Sequence, residues 1–312
     1  MSSERRYLPV PDALVGQRAD VALARLLGMS RSKVAALIDD GNALADGVPL
    51  AKANPLGADM MLDITIPAPP TPPPDLVVDG MRIVHEDGDL IVVDKPVGIA
   101  AHQSTGWHGP TVVGSLRASG VRITGLGPVE REGIVHRLDV GTSGLMVVAK
   151  SDRAYSALKR AFKERSVTKR YLALAHGRVE PARGTIDAPI AHAGGKAWKM
   201  AIRPTGKNAL TNYEVLEYVE GASLLDVDLL TGRTHQIRVH LASIHHPLLG
   251  DLIYGADRTL AEGLGLTRQW LHAYRLGFTH PGTGEDVEFV SEAPSDLTDA
   301  LDRLREPGGV HP

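Results

Sequence analysis

Two runs near the start of the chain place apolar residues at helical spacing, Val21, Leu23 and Leu26 in the first and Val34, Leu37 and Ile38 in the second. They predict short helices over 19–27 and 31–38, with Ser30 placed to cap the second. Asp40, Gly41 and Asn42 then break the pattern, and Val48, Leu50, Met61, Ile64 and Ile66 alternate through 43–66 in the manner of small strands. Past residue 75 the pattern becomes one of short β-branched runs, at 81–84, 90–93, 145–149, 171–175, 213–218, 224–230 and 287–290, each predicting a strand. Helical spacing returns in three places: Thr111 can cap a helix through Val112, Val113 and Leu116, Asp152 one with Tyr155, Leu158 and Phe162 inward, and Thr234 one with Ile237, Leu241 and Ile244 inward. Strands outnumber the crossover helices that an all-parallel sheet requires. The expected fold class is therefore α+β, with a mixed, largely antiparallel sheet.

Between the two regimes lies 67–75, PAPPTPPPD, where six prolines fix φ and remove amide donors. Extended polyproline geometry at about 3.1 Å per residue makes this a semi-rigid spacer on the order of 28 Å long. The expected organisation is a small domain over 1–66, a linker over 67–75 and a catalytic domain over 76–312. A chain of 312 residues, 43% hydrophobic and 23% charged, is long enough for one sizeable core and an accessory domain. No apolar run approaches the roughly 18 to 20 residues of a membrane span, and MSSERRYLPVPD lacks a signal-peptide stretch, so a cytoplasmic protein with no membrane partner is expected. The absence of cysteine removes disulfides, thiolate metal sites and cysteine nucleophiles, leaving oxygen and nitrogen groups to do any chemistry. The net charge of -3 argues mildly against a nucleic-acid partner, but its distribution argues the other way. Between Lys150 and Lys207 there are fourteen Lys and Arg against four Asp and Glu. Such a stretch is either a set of solvated faces or a surface for phosphates.

Phosphate-loop, HExxH, GxSxG and strand-bounded GxGxxG patterns are all missing, which weakens nucleotide hydrolysis, zinc proteolysis and hydride transfer. Neither His245 with His246 nor His235 with His240 comes with a carboxylate at metal-site spacing, so no metal is expected. Three segments set charge among apolar residues, a costly place unless the charge is paired. In 133–151, His136, Arg137 and Asp139 precede a turn through Gly141 and Gly144, and a buried strand follows. Such a turn can aim Asp139 into a cleft, and it can equally be capped by it. In 229–240, Arg238 sits where its guanidinium can hold a carboxylate by paired hydrogen bonds, which favours the ionised acid; a surface ion pair has the same look. In Lys169, Arg170 and Tyr171, an aromatic opens a strand beside two cations, an arrangement suited to stacking a base next to its phosphates and also to an ordinary edge strand.

Two resemblances rest on these residues. SRSKV at 30–34 with DGVPL at 46–50 resembles the αL RNA-binding module of a small-subunit ribosomal protein and of tyrosyl-tRNA synthetases, implying RNA contacts from Arg18, Arg31 and Lys33, although Asp39 and Asp40 depart from the pattern. HRLDVGTSGLMVVAKS at 136–151 with TGRTHQIRVHLASIHHPLLGDLIYG at 231–255 resembles the RluA-type RNA pseudouridine synthases, over about 82–289. VVDKPVGIAAH at 92–102, KRYLALAHG at 169–177 and WLHAYRLGFTHP at 270–281 extend the resemblance, and QSTGWHG at 103–109 departs from it. The resemblance implies that Asp139 is the catalytic aspartate, acting on the ribose C1′ or removing the C2′ proton, after which the base is detached, rotated and rejoined through C5 without a cofactor. It implies that Tyr171 stacks on the target base and assists proton removal from C5, that Arg238 salt-bridges the aspartate, and that Arg137 helps displace the flipped nucleotide. His136, Lys169, Arg170 and Arg233 are further expected RNA contacts. The implied partner is structured RNA, foremost large-subunit ribosomal RNA and next transfer RNA, and a monomer is the expected state. A non-catalytic RNA-binding or ribosome-assembly factor is the alternative, and a two-carboxylate glycoside hydrolase would need a second acid such as Asp226 or Asp228, which alternate as one solvated strand face.

Overall fold

A computed structural model describes residues 3–68, 75–104, 106–194 and 199–306. The chain forms two compact units, 1–72 and 73–312. Most of the proline segment, 69–74, and Lys196 of the basic stretch lie outside the described residues.

In the first unit, β1 (Glu4–Pro9), α1 (Ala19–Leu27), α2 (Arg31–Asp39), β2 (Ala43–Ala45), β3 (Val48–Pro49) and β4 (Met61–Ile66) follow in order. The strands form an antiparallel sheet in the order β1, β4, β2, β3. Ser30 Oγ accepts the Lys33 N–H at 3.4 Å, a long N-cap bond that starts α2. Leu23, Val34, Ile38, Leu62 and Ile64 are buried together between helices and sheet. Strand β1, ERRYLP, is almost wholly exposed, so its sequence carries no alternation to announce it.

The second unit contains β5 (Arg82–Glu86), β6 (Leu90–Lys95), α3 (Val112–Ala118), β7 (Ser143–Ala149), α4 (Asp152–Glu164), β8 (Thr168–His176), β9 (Arg183–Asp187), β10 (Ile190–His192), β11 (Met200–Ile202), β12 (Leu210–Val219), β13 (Ala222–Leu229), α5 (Gln236–Ser243), α6 (Arg258–Gly263), β14 (Leu271–Thr279), β15 (Asp286–Val290) and α7 (Ser295–Arg305). Eight strands run in the order β5, β6, β7, β14, β8, β13, β12, β9, with β15 also paired to β14. Within this sheet only β7 and β14 pair in parallel, through two residue pairs, Ser143 with His272 and Gly144 with Ala273. The sheet is thus mixed and largely antiparallel. Apolar residues cover both of its faces: Ile91, Val93, Tyr171 and Val227 meet α3 and α5 on one, while Val92 and Val147 meet α4, and Leu174 and Leu224 meet α7, on the other. This two-sided burial explains why the strands read as continuous apolar runs.

The parallel contact dictates one glycine. Gly144 has φ 116°, and a Cβ on it would lie 2.3 Å from the Ala273 carbonyl oxygen, so no other residue fits where β7 meets β14. Two expected caps are corrected. Ser151, not Asp152, caps α4, its Oγ accepting the Ala154 N–H at 3.1 Å, while Asp152 accepts the Thr124 hydroxyl. Helix α5 starts at Gln236 rather than at Thr234, because His235 adopts a left-handed φ of 55° and turns the chain there.

Candidate active site

The turn after Leu138 is closed by the Thr142 N–H donating to the Asp139 carbonyl at 3.0 Å. Side chains from the approach to β14 hold it from behind. Arg268 Nη1 donates to the Gly141 carbonyl at 3.3 Å, Gln269 Nε2 to Thr142 Oγ1 at 3.2 Å, and His272 Nδ1 lies 3.0 Å from Ser143 Oγ. From the other side the fully buried Lys95 directs Nζ at the carbonyls of Pro96, Ile99 and Val140, at 3.0, 3.1 and 3.5 Å. Burial pushes the Lys95 ammonium down to about 7, against the pull of the Asp139 charge. The turn is therefore pinned on both flanks, and its Asp139 side chain lines a cleft of about 540 Å³.

Arg238 meets Asp139 there, Nη1 to Oδ2 at 3.3 Å. The paired hydrogen bonds expected of Arg238 go to a different acid: Nε and Nη2 bind Asp251 Oδ2 and Oδ1 at 2.6 and 2.8 Å, and both side chains are buried. The Tyr254 ring lies under the guanidinium, 5.0 Å from Cζ to ring centroid. Burial opposes the Arg238 charge, but Asp251 and Asp139 outweigh it and hold the guanidinium above its ordinary range. The loop leading into α5 is fixed by Gln236, whose Oε1 accepts from Thr231 Oγ1 and the Arg233 N–H, and whose Nε2 donates to the Leu210 carbonyl and Thr211 Oγ1. One product of this loop is His235, with Nε2 3.9 Å from Asp139 Oδ2.

Tyr171, buried on β8, lines the same cleft. Burial, seconded by the Asp139 charge, raises its phenol well above the usual range, so at neutral pH it presents a ring and an O–H and no phenolate. Lys169, two residues earlier on the same face, also lines the cleft and sits 5.8 Å over the Phe162 ring; burial brings its ammonium down to about 8. Arg137 is exposed at the cleft, and Arg233 lines it while its Nε donates to the Asn208 carbonyl at 3.1 Å.

Most of the remaining expected contacts are otherwise engaged. His136 lines the cleft, but its Nε2 accepts the Val147 N–H at 3.0 Å and its ring stacks on Phe162 at 4.6 Å. Burial pushes its imidazole down to about 3, so it is a neutral strand anchor rather than a cation for phosphate. Arg170 points to the sheet face opposite Tyr171 and forms a bidentate pair with Asp226 at 2.9 and 2.5 Å. Tyr274 Oη donates to the same carboxylate at 3.0 Å, so Asp226 is a paired, nearly buried acid and not part of a solvated strand face. Neither Asp226 nor Asp228 lines the cleft, which removes the second acid that the hydrolase reading required. In the first unit Arg31 donates to Asp20 at 2.6 Å beside Arg18 at 3.1 Å, while Lys33 is exposed. Asp251, His235, Tyr254, Gln236, Arg268 and Gln269 were not among the expected site residues. For His235, Gln236, Asp251 and Tyr254 the signal is their place as polar residues inside the TGRTHQIR and GDLIYG strings, whereas Arg268 and Gln269 lie outside both and carry no such signal.

One cluster of metal-ligand type occurs among the described residues, His85, Asp87 and His280, with ligand atoms within 4.8 Å of one another. His280 Nδ1 accepts the N–H groups of Gly282 and Thr283, so Nε2 carries the proton and donates it to Asp87 Oδ2 at 2.8 Å. That nitrogen has no lone pair to offer a metal, and the cluster works as a clasp between the β5–β6 and β14–β15 turns. His240, five residues on from His235, is held between Thr211 Oγ1 and the Ala188 carbonyl, 2.9 Å from each.

A family model described as RNA pseudouridylate synthase matches residues 89–243. An uncharacterized RNA pseudouridine synthase of Mycobacterium bovis is 55% identical over 305 residues, 97% of this chain and 99% of that protein. A ribosomal large subunit pseudouridine synthase D of Zymomonas mobilis is 40% identical over 301 residues, 92% of this chain and 93% of that one. Among solved structures, human RNA pseudouridylate synthase domain containing 1 superposes with a TM-score of 0.57 at 32% identity, over 69% of this chain and 84% of its own. A sheet that delivers an aspartate, an arginine and a tyrosine to one cleft, and relatives matched along nearly the whole chain, lead to one conclusion: this chain belongs to the RluA-type family of RNA pseudouridine synthases.

Proposed function

We propose that this enzyme isomerises specific uridines in large-subunit ribosomal RNA, with Asp139 as its catalytic carboxylate. The observation that carries the reading is the contact of Asp139 Oδ2 with the buried Arg238 guanidinium, 3.3 Å away, in a cleft that Tyr171 also lines. A carboxylate so held loses little freedom on meeting a substrate. A volume of about 540 Å³ is in the range of small-ligand sites and far short of a duplex, so a uridine stacked in a helix must be flipped out to enter. Flipping costs a few kcal/mol, and stacking of a base on an aromatic ring returns about 1–3 kcal/mol. Tyr171 supplies the ring. The exposed Lys163 and Arg165, with Arg137 and Arg233, line the cleft and supply cations for the backbone, and the buried Lys169 lies deeper among them. The choice of large-subunit RNA follows the name of the Zymomonas mobilis relative.

The test is pseudouridine mapping of total RNA from cells lacking the gene, complemented with the wild type or with Asp139→Asn. Loss of defined pseudouridines in 23S-type RNA, restored by the wild type alone, is the expected result. Loss confined to transfer RNA replaces the substrate, and restoration by Asp139→Asn removes the aspartate from its role.

A further inference from the structure

We propose that His235 is a positioning residue for Asp139: it holds a neutral Nε2–H against Oδ2, its tautomer set by Tyr254, and so leaves Oδ1 as the oxygen that faces the reacting uridine. The proposal rests on the reading of Asp139 as the catalytic carboxylate. Its starting point is the proton count at Tyr254. Oη accepts the Met200 N–H at 3.0 Å and lies 2.8 Å from His235 Nδ1. Among the described residues no other side chain or carbonyl accepts the phenol hydrogen, and we assign that hydrogen to Nδ1, which makes Nδ1 the bare nitrogen of the ring. Nε2 then carries the imidazole hydrogen. It lies 3.9 Å from Asp139 Oδ2, the same oxygen that Arg238 Nη1 approaches to 3.3 Å. No side chain among the described residues donates to Oδ1.

Three further features favour the arrangement. His235 sits at φ 55°, a left-handed conformation kept only where the surroundings over-determine it, and the Gln236 bonds to Thr231, Arg233 and Leu210 supply that constraint. The ring is packed edge-on to Tyr254, centroids 5.6 Å apart, so it cannot turn to present its other nitrogen without breaking the phenol bond. The groups facing it are Asp139, Arg238, Asp251 and Arg137; burial, with the two arginines, outweighs the two acids and lowers the imidazole below its ordinary value, so it is neutral at pH 7. A carboxylate held on Oδ2 by the Arg238 guanidinium, with a neutral N–H facing that same oxygen from 3.9 Å, has its other oxygen unoccupied. That geometry needs only a shift of under about 1 Å of Asp139 toward His235 to close a normal hydrogen bond as substrate enters.

The experiment uses the full-length protein and ribosomal RNA purified from cells lacking the gene and grown on uridine tritiated at C5, because rejoining the base through C5 releases that hydrogen to water. Single-turnover rates and RNA affinities are compared for the wild type, Asp139→Asn, His235→Gln, His235→Asn and Tyr254→Phe, with thermal melting of each. Gln places an N–H near the position of Nε2, whereas Asn accepts the left-handed backbone but is too short to reach Oδ2. Expected are a loss of about 10- to 100-fold in rate for His235→Asn, a smaller loss for Tyr254→Phe, and a rate for His235→Gln within a few fold of wild type, all with unchanged RNA affinity. His235→Gln as slow as His235→Asn, or His235→Asn as fast as wild type, overturns the proposal. If the His235 variants melt early, Tyr254→Phe decides: a wild-type rate there overturns the tautomer argument. Full activity in Asp139→Asn would overturn the reading beneath it, and that failure is distinct because it shows in the Asp139 variant alone.

Discussion

Asp251 and His136 show how single side chains prepare this cleft through their protein partners. Asp251 neutralises Arg238 by two hydrogen bonds in a buried setting, which fixes the plane of the guanidinium and leaves Nη1 for Asp139. A lysine at 238 could not satisfy both acids in that geometry. His136 is a titratable group kept neutral: its Nε2 must stay bare to accept the Val147 N–H, and burial holds its pKa near 3. A histidine with a folded pKa below the unfolded value of about 6.5 leaves stability intact above pH 6.5 and removes it as pH falls, because the unfolded chain takes up the proton first. Between about pH 6.5 and pH 3 this one group should cost at most about 1.4 kcal/mol of stability per pH unit. His136→Gln keeps an acceptor and does not titrate, so its urea-unfolding free energy, followed from pH 7 to pH 4, should fall less steeply than that of the wild type; parallel curves would show that His136 is not buried neutral.

At the scale of elements, the seam between β7 and β14 is the point of least tolerance. Gly144→Ala would set a methyl 2.3 Å from the Ala273 carbonyl at a φ of 116°, and a destabilisation above about 2 kcal/mol is expected in thermal or denaturant melts. Much of the element pattern could be read from the chain. Strands β6 and β7 are largely buried on both faces and carry the runs LIVV and LMVVA, β8 and β13 carry the mainly apolar runs YLALA and LLDVDL, and Ser30 and Thr111 cap the helices their positions indicate. Strands β10 and β11 are three residues each, too short for any period to show, and the register of β14 shifts between His272 and Arg275, which destroys its alternation. Helix α7 is different, since Leu297, Ala300, Leu301 and Leu304 give it a regular inward stripe that the sequence holds in plain view. Asp139, Tyr171 and Arg238 were legible because each lies inside a long, unusual string, and they do line one cleft. Their partners were not. Asp251, Tyr254 and Gln269 act through contacts 13 to 127 residues away along the chain, or through a helix start displaced by the left-handed His235, and no local pattern encodes those.

For the whole molecule, the net charge of -3 conceals a polarity of surface. Lys163 and Arg165 at the end of α4 are exposed beside the cleft, and among the described residues no carboxylate pairs with either. RNA affinity should therefore fall log-linearly with salt, and Lys163→Ala combined with Arg165→Ala should reduce the slope by about 1 to 2 while weakening all RNA sequences alike. A flat dependence in the wild type would remove this rim from the RNA path. The two-residue parallel seam has one more implication. It joins a plate of β5, β6 and β7, which ends in Asp139, to a plate of β14, β8 and β13, which carries Tyr171 and leads to Arg238. Neither plate contains a working centre by itself, so catalytic activity during refolding is an assay of docking: it should return with the last plate to arrive, later than the secondary structure of either.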